Sequence, residues 1–214
     1  MKESFSNQEG IRIVEDMIGV IQENKQYLSD IDGAIGDGDH GINMNKGFTM
    51  CAEQLASSPG DLSHGLKTLS SILMMKIGGS MGPLYGMLYK AMAKACEGKE
   101  AIDGNIVGDM LARGLADLQK ISDAKPGDKT LMDCLVPAEA AYRNALDNGA
   151  SLKEALGAMK AAAETGKNST EEMVAKKGRS SRLGERSRGV IDAGAASCFL
   201  LLNSMADSID SLTE

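Results

Sequence analysis

The sequence predicts an all-α fold, in the form of an antiparallel, up-and-down barrel of about eight amphipathic helices. Aromatic residues make up only 3% of the chain and Trp is absent, whereas Gly and Met are plentiful, with 25 and 14 copies. Small and flexible apolar side chains of this kind favour helices over sheets. Apolar residues also recur at helical spacing, and short breaks between the periodic segments favour antiparallel neighbours.

The helices are predicted in order along the chain. The first carries an apolar stripe made of Ile11, Val14, Ile18 and Ile21. Further helical windows follow at about 41–56, 62–77, 83–97, 104–121, 130–147, 151–175 and 192–210. Gly and Pro punctuate the breaks between them, as in Ser58-Pro59-Gly60, Gly78-Gly79, Pro126-Gly127 and Asn148-Gly149. No segment is predicted to be a strand.

One domain covering residues 1–214 is expected, because the length suits a single core and no linker divides it. The net charge of −7 argues against a general nucleic-acid or anionic-membrane surface. No signal peptide is visible and no apolar run is long enough to span a bilayer. The four cysteines are dispersed and are expected to be reduced, buried thiols. A cytoplasmic protein is therefore expected.

Three carboxylates lie close together in the segment Asp32-Gly33-Ala34-Ile35-Gly36-Asp37-Gly38-Asp39-His40-Gly41. Asp37 and Asp39 can project to the same side of an extended or looped segment, and Asp32 approaches from the previous turn. These hard oxygen ligands suit magnesium or calcium rather than zinc, and no EF-hand register fits. A turn with a helix cap explains Asp-Gly-Asp alone, but three carboxylates at this spacing require a compensating cation.

Three glycine-containing segments at predicted helix starts can present backbone N–H groups to an anion. They are 41–44, 78–83 and 192–195. Close helix packing is the favoured explanation for any one of them taken alone. Only their convergence on one phosphate chain would make a site. Of the two histidines, His40 is expected to contact nucleotide or to cap a helix, and His64 to be structural or exposed.

A basic segment at about 175–191 is predicted to be a lid-like loop, because it has no apolar stripe. It concentrates six cations in an otherwise acidic chain, namely Lys176, Lys177, Arg179, Arg182, Arg186 and Arg188. Arg suits bidentate phosphate contact, and interleaved glycines allow movement over a site. The segment either neutralises phosphate or forms a solvated surface. Nucleic-acid binding is disfavoured because no aromatic residue is interleaved for base stacking.

Four motifs together resemble the L subunit of dihydroxyacetone kinases. In chain order they are 36–44, 82–86, 126–130 and 178–187, and the resemblance extends over essentially the whole chain. It implies a helical barrel that binds ADP or ATP at one end, with the phosphates held by two magnesium ions. Asp32, Asp37 and Asp39 would be the metal ligands and, with Arg179, the catalytic residues. The resemblance places the following residues at the nucleotide: His40, Gly41, Ile42, Asn43, Gly79, Ser80, Met81, Ser122, Leu131, Arg179, Asp192, Ala193 and Gly194.

Two motifs depart from the family pattern. Residues 78–83 read Gly-Gly-Ser-Met-Gly-Pro, where the family commonly has Gly-Gly-Ala-Ser-Gly-Pro. Val190 and Ala193 replace the His and Pro of a later motif, commonly Gly-His-x-Asp-Pro-Gly-Ala. These changes leave a related three- or four-carbon ketose or polyol open as the substrate.

The resemblance also implies partners. The sugar would be held on a separate K subunit, through a histidine that this chain lacks, and a homodimer is expected. The phosphate donor would be free ATP, or ADP that a phosphotransferase-system M subunit rephosphorylates in place. A nucleotide-loaded signalling module that engages a transcriptional regulator is an alternative. A fatty-acid kinase nucleotide domain is another alternative. It is a poorer match, because that family has Asp-Gly-Asp-Thr-Gly-Thr-Asn where this chain reads Asp-Gly-Asp-His-Gly-Ile-Asn at 37–43.

Overall fold

The computed structural model describes residues 3–214 and confirms the all-α class. Every predicted helical window contains a helix whose ends lie within a few residues of the predicted ones, apart from the last turns of the window at 151–175. The helices found in this span are α1 Ile11–Glu23, α2 Lys25–Ile35, α3 His40–Ser57, α4 Leu62–Lys76, α5 Met81–Cys96, α6 Gly104–Ile121, α7 Met132–Asp147, α8 Leu152–Ser169 and α9 Ala193–Thr213.

Two features differ from the sequence prediction. Helix α2 is absent from the predicted elements, and it places Asp32 on a helix rather than in a loop. The prediction that the chain has no strand is wrong, since a short strand β1 Ser4–Ser6 pairs antiparallel with another short strand, β2 Ala101–Asp103. This pair aligns Phe5 with Ile102, and both side chains are buried.

Contacts between helices form a closed ring. Helix α1 packs on α3, each helix from α3 to α8 packs on the next one, and α9 packs on both α8 and α1. The barrel arrangement itself stays a prediction. Helix α2 stands outside this order and packs on α3 and α9.

The core consists mainly of aliphatic side chains, with a few aromatic rings. Phe48 meets Tyr89 edge to face, with 6.4 Å between ring centroids, and Tyr89 stacks on Tyr85. Small residues let the helices approach closely, because a Cβ on Gly166 of α8 would lie 2.1 Å from the Asp133 carbonyl oxygen of α7. All four cysteines are free and buried, as predicted. No helix in the described span is long and apolar enough to cross a membrane.

Several helix ends meet at one end of the ring. The Tyr85 hydroxyl, in the second turn of α5, donates to the carbonyl of Gly194 at the start of α9 over 3.3 Å. The amide of Asp192 donates to the Thr170 hydroxyl at the end of α8 over 3.0 Å. Between α8 and α9 lie a 3-10 turn at Thr170–Glu172 and then the basic segment, which contains further 3-10 turns at Ser180–Ser187.

Candidate metal and nucleotide site

The three predicted acidic residues come together between α2 and α3. Asp32 lies in the last turns of α2, Asp37 lies in the connection, and Asp39 is the residue before α3. One carboxylate oxygen from each lies within 4.8 Å of the others, and all three side chains reach the surface. Carboxylates so close together can share one hard divalent cation.

Glycines allow this arrangement. Gly38 has a φ of +76°, a left-handed conformation that favours glycine. A Cβ on Gly36 would lie 2.6 Å from an Asp32 carboxylate oxygen. The connection therefore depends on the absence of side chains at these two positions.

The helix-cap explanation of this motif applies to Asp32 rather than to Asp39. Asp39 occupies the N-cap position of α3, but its carboxylate makes no capping hydrogen bond. The His40 amide instead donates to a carboxylate oxygen of Asp32 over 3.2 Å. Asp39 therefore keeps its carboxylate available for a cation.

The electrostatics of this cluster fit a divalent cation. Partial burial, and then the neighbouring Asp37 and Asp32 carboxylates, raise the pKa of Asp39, whereas Arg179 opposes the shift. Arg179 forms an ion pair with Asp37 and is the one cation paired with the cluster within the described part of the chain. One monovalent guanidinium faces three carboxylates, which leaves a net negative charge at the site.

His40 is held by a buried polar network below the cluster. Its Nε2 lies 2.9 Å from the hydroxyl of Ser197, which lies 2.7 Å from the Tyr85 hydroxyl. Burial lowers the pKa of His40, although the negative charge of Asp32 opposes this effect. The ring is therefore neutral at neutral pH, and Ser197 and Tyr85 fix its orientation.

The remaining predicted nucleotide residues lie at the starts of α3, α5, α7 and α9 and at the end of α6. Ile42 is 52% exposed near the start of α3. Gly79 has a φ of +74° and open space around it, and Ser80 is exposed at the N-cap of α5 without a side-chain capping bond. The Met81 side chain belongs to the core. Ser122 follows α6, and its hydroxyl accepts from the Ala124 amide over 3.3 Å.

Helix α9 is capped at its start by the side chain of Asp192, the residue that precedes it. The Asp192 carboxylate accepts from the Ala195 amide over 2.8 Å, so this amide is not free for an anion. Burial raises the pKa of Asp192 to about 7; Asp133 and Asp32 add to the rise, while the Ala195 hydrogen bond and Lys129 oppose it. A Cβ on Gly194 would lie 3.4 Å from the Leu131 amide nitrogen, so the starts of α9 and α7 touch. Ala193 is buried between them.

Sequence reasoning missed a buried charged turn at 125–133. The Asp133 carboxylate accepts from the amides of Gly127 and Thr130 over 2.5 and 2.7 Å, and that of Asp128 accepts from the Lys125 amide over 3.1 Å. Lys129 lies inside the turn with 1% of its surface exposed. The motif at 126–130 is visible in the sequence, but nothing in its composition distinguishes a buried lysine from a solvated one.

Gly41 serves helix packing as well as its predicted position at the nucleotide. A Cβ added at Gly41 would lie 2.1 Å from the Lys25 carbonyl oxygen and 2.5 Å from the Ser29 hydroxyl on α2. Gly41→Ala is therefore expected to lower the free energy of unfolding by about 1–3 kcal/mol, as overpacking against backbone does. Urea denaturation measures this loss.

A matched control for this substitution is Gly19→Ala on α1. No atom lies within 4 Å of a Cβ there, so the higher helix propensity of alanine should raise stability by up to about 1 kcal/mol. Equal stability of the two variants would contradict the close approach of α2 and α3.

Comparison with known proteins places these features in a family. Residues 34–207 match the family model described as the DAK2 domain. The chain is 36% identical to the PEP-dependent dihydroxyacetone kinase 2, ADP-binding subunit DhaL, of Listeria innocua, with 92% of each chain covered. It is 35% identical to the corresponding ADP-binding subunit of Escherichia coli, with 87% of this chain and 90% of the relative covered.

A solved structure has a similar fold. The crystal structure of the dihydroxyacetone kinase from C. freundii in complex with AMP-PNP and Mg2+ superposes with a TM-score of 0.70 at 23% identity. The match covers 97% of this chain and 35% of that chain. At this identity the likeness concerns the fold alone.

Proposed function

Because the chain belongs to the DAK2 domain family, we propose that it is the ADP-binding subunit of a PEP-dependent dihydroxyacetone kinase. In this proposal it passes phosphate from a magnesium-bound nucleotide to a small ketose held on a separate K subunit. The observation that carries the proposal is the convergence of Asp32, Asp37 and Asp39 beside Arg179. Carboxylates for a cation and a guanidinium for phosphate are the groups that phosphoryl transfer requires.

The relatives favour one phosphate donor and one sugar. Identity is 35–38% to four ADP-binding subunits described as PEP- or PTS-dependent, against 29–31% to three erythrulose kinases. This supports ADP that stays bound and is rephosphorylated in place by a phosphotransferase-system M subunit, rather than exchange with free ATP. Dihydroxyacetone is the sugar named for all four of these subunits, and we propose it as the substrate.

The acidic cluster fits magnesium. Its donors are carboxylate oxygens, and the pKa of Asp39 is raised first by partial burial and then by neighbouring negative charge, which a divalent cation would neutralise. We propose that Asp32, Asp37 and Asp39 hold two magnesium ions. Bound magnesium would supply neutralisation of the phosphate charges.

Other residues would bind and orient the phosphates. Arg179 lies at the cluster already and, being 65% exposed, has room to move from Asp37 to a phosphate oxygen. Backbone amides at the start of α5 lack a side-chain cap, and Gly79 leaves open space in front of them. His40 is neutral and fixed by Ser197, so its ring would act by position rather than by charge. None of these roles needs a covalent intermediate on the protein.

The assembly around this subunit is also part of the proposal. A K subunit would bring the sugar, and an M subunit would renew the phosphate. We propose a homodimer in the cytoplasm as its working form. Engagement of a transcriptional regulator by the nucleotide-loaded chain is the second role that we propose.

Calorimetry tests the proposed nucleotide site. Once retained nucleotide has been removed, the purified chain is expected to bind ADP in the presence of magnesium and to lose this binding in EDTA, because the acidic cluster repels phosphate without a cation. Mass spectrometry under native conditions should also detect retained nucleotide. Binding of ADP with equal affinity in EDTA would contradict a metal-dependent site, and absence of any ADP binding would contradict the function.

A further inference from the structure

Lys129 is the only lysine that is buried within residues 3–214. Its Nζ donates to three backbone carbonyl oxygens, those of Ser187, Val190 and Met173, over 2.6, 2.7 and 3.2 Å. A lysine ammonium has three N–H donors, so its hydrogen-bonding capacity is fully used. None of these acceptors is a side chain.

The three carbonyls lie at or beside the two ends of the basic segment, residues 175–191, which we call the basic loop from here on. Met173 precedes the loop, whereas Ser187 and Val190 lie at its far end. Additional bonds join the same two ends, since the Ala175 amide donates to the Ser187 hydroxyl over 2.9 Å and the Gly189 amide to the Glu171 carbonyl over 2.8 Å. One ammonium therefore lies at the junction where the loop leaves and rejoins the core.

The lysine is required here for its head group rather than for its backbone conformation. Lys129 has a φ of 61°, the only positive φ of a residue other than glycine in the described range. Such a conformation persists where surrounding contacts determine it. No carboxylate lies within salt-bridge distance of Nζ in that range, so the carbonyl dipoles are the direct partners of the charge. An apolar side chain would leave these carbonyls without a donor.

The middle of the loop is held much less firmly. Its glycines at 178 and 184 have positive φ, and a Cβ added at either would have nothing within 4 Å. Arg179 nevertheless reaches across to Asp37. The loop thus has fixed ends and an open middle that carries the guanidinium.

We propose that Lys129 is a positioning residue that acts through Arg179: it pins both ends of the basic loop so that Arg179 is held at the acidic cluster. The affinity arm of the test rests on the proposed function, whereas the proteolysis arm does not depend on it. Within the described residues, Lys129 makes no hydrogen bond or ion pair with the acidic cluster.

The rate of trypsin cleavage measures how often the loop opens, because trypsin cleaves after the lysines and arginines that the loop contains. In the full chain without nucleotide, Lys129→Met should speed cleavage at 176–188 by about tenfold or more, since cleavage follows the population of the open loop. Lys125→Met, on the exposed lysine of the same turn, is the matched control and should be cleaved like the unaltered chain. Equal cleavage of all three proteins would overturn the pinning.

A double-mutant cycle on MgADP affinity separates positioning from general structural damage. If Lys129 acts through Arg179, Lys129→Met should weaken affinity by about as much as Arg179→Ala, and the double variant should be no weaker than either. Additive losses would overturn action through Arg179. If the unaltered chain bound no MgADP, the proposed function would fail, and proteolysis would still decide whether Lys129 pins the loop.

Hydrogen exchange of the unaltered chain covers the case in which Lys129→Met does not fold. The amides of Ala175 and Gly189, which the pinned ends engage, should exchange nearly as slowly as those of α7 and α8. Amides at 179–186 should exchange much faster. Uniformly fast exchange across 173–190 would overturn the proposal.

Discussion

Asp39→Asn is expected to reduce the affinity for MgADP by roughly 100-fold or more, because even groups that only support metal ligands account for about 10–100-fold. The substitution keeps the shape of the side chain and removes its charge. It should leave the helical content unchanged, since the Asp39 carboxylate makes no capping bond to α3. Calorimetry with MgADP and circular dichroism measure the two quantities.

The metal-free protein provides a second signature of the same substitution. Burial and neighbouring carboxylates raise the pKa of Asp39, which means that the folded state disfavours its charged form. Above that pKa the charge costs stability, so Asp39→Asn should unfold at the same or a higher temperature when magnesium is absent. A residue needed only for folding would give the opposite result.

Asp30→Asn is the matched control, because it makes the same change of charge two residues before the cluster. Asp30 is exposed and accepts a hydrogen bond from Gln26. Its affinity for MgADP should stay close to that of the unaltered chain. Asp37→Asn should also weaken binding, but it breaks the ion pair with Arg179 and is harder to interpret. Near-normal affinity in Asp39→Asn and Asp37→Asn together would refute the metal assignment.

Most of the fold is predictable because the helices show clear apolar periodicity. Helix α2 does not, since only Leu28 and Ile35 of its residues are buried and Gly33 weakens its helical propensity. It is stabilised by packing against α3, through the contact of Gly41 with Lys25 and Ser29, which periodicity cannot reveal. The strand pair escapes prediction for a related reason, because each strand has three residues and its partner is almost 100 positions away.

The acidic cluster is predictable because its members are close in sequence and flanked by glycine. Their chemistry depends on neighbours that are distant in the chain. Ser197 and Tyr85 orient His40 from two other helices, and Asp32 rather than Asp39 takes the capping role. The buried state of Lys129 depends on carbonyls more than 40 residues away, which no local pattern encodes.

The chain's histidines are already engaged, and this matters for where the sugar binds. The Nε2 of His40 lies 2.9 Å from the Ser197 hydroxyl, and that of His64 lies 3.0 Å from the Ser58 carbonyl oxygen. His64 belongs to α4 and contacts the turn before it, away from the acidic cluster. Neither Nε2 atom can hold a sugar carbonyl beside the cluster without breaking its present hydrogen bond.

The purified chain with magnesium, ADP, dihydroxyacetone and an M subunit rephosphorylated from PEP is accordingly expected to form no sugar phosphate until a sugar-binding K subunit is added. Without that subunit the acceptor hydroxyl is not positioned, and positioning supplies much of the rate in phosphoryl transfer. A coupled assay for dihydroxyacetone phosphate measures the outcome. The K subunit mixed with the Asp39→Asn chain is the control and should stay inactive, which excludes a contaminating kinase. Turnover by the isolated chain that Asp39→Asn abolishes would show instead that this subunit carries its own sugar site.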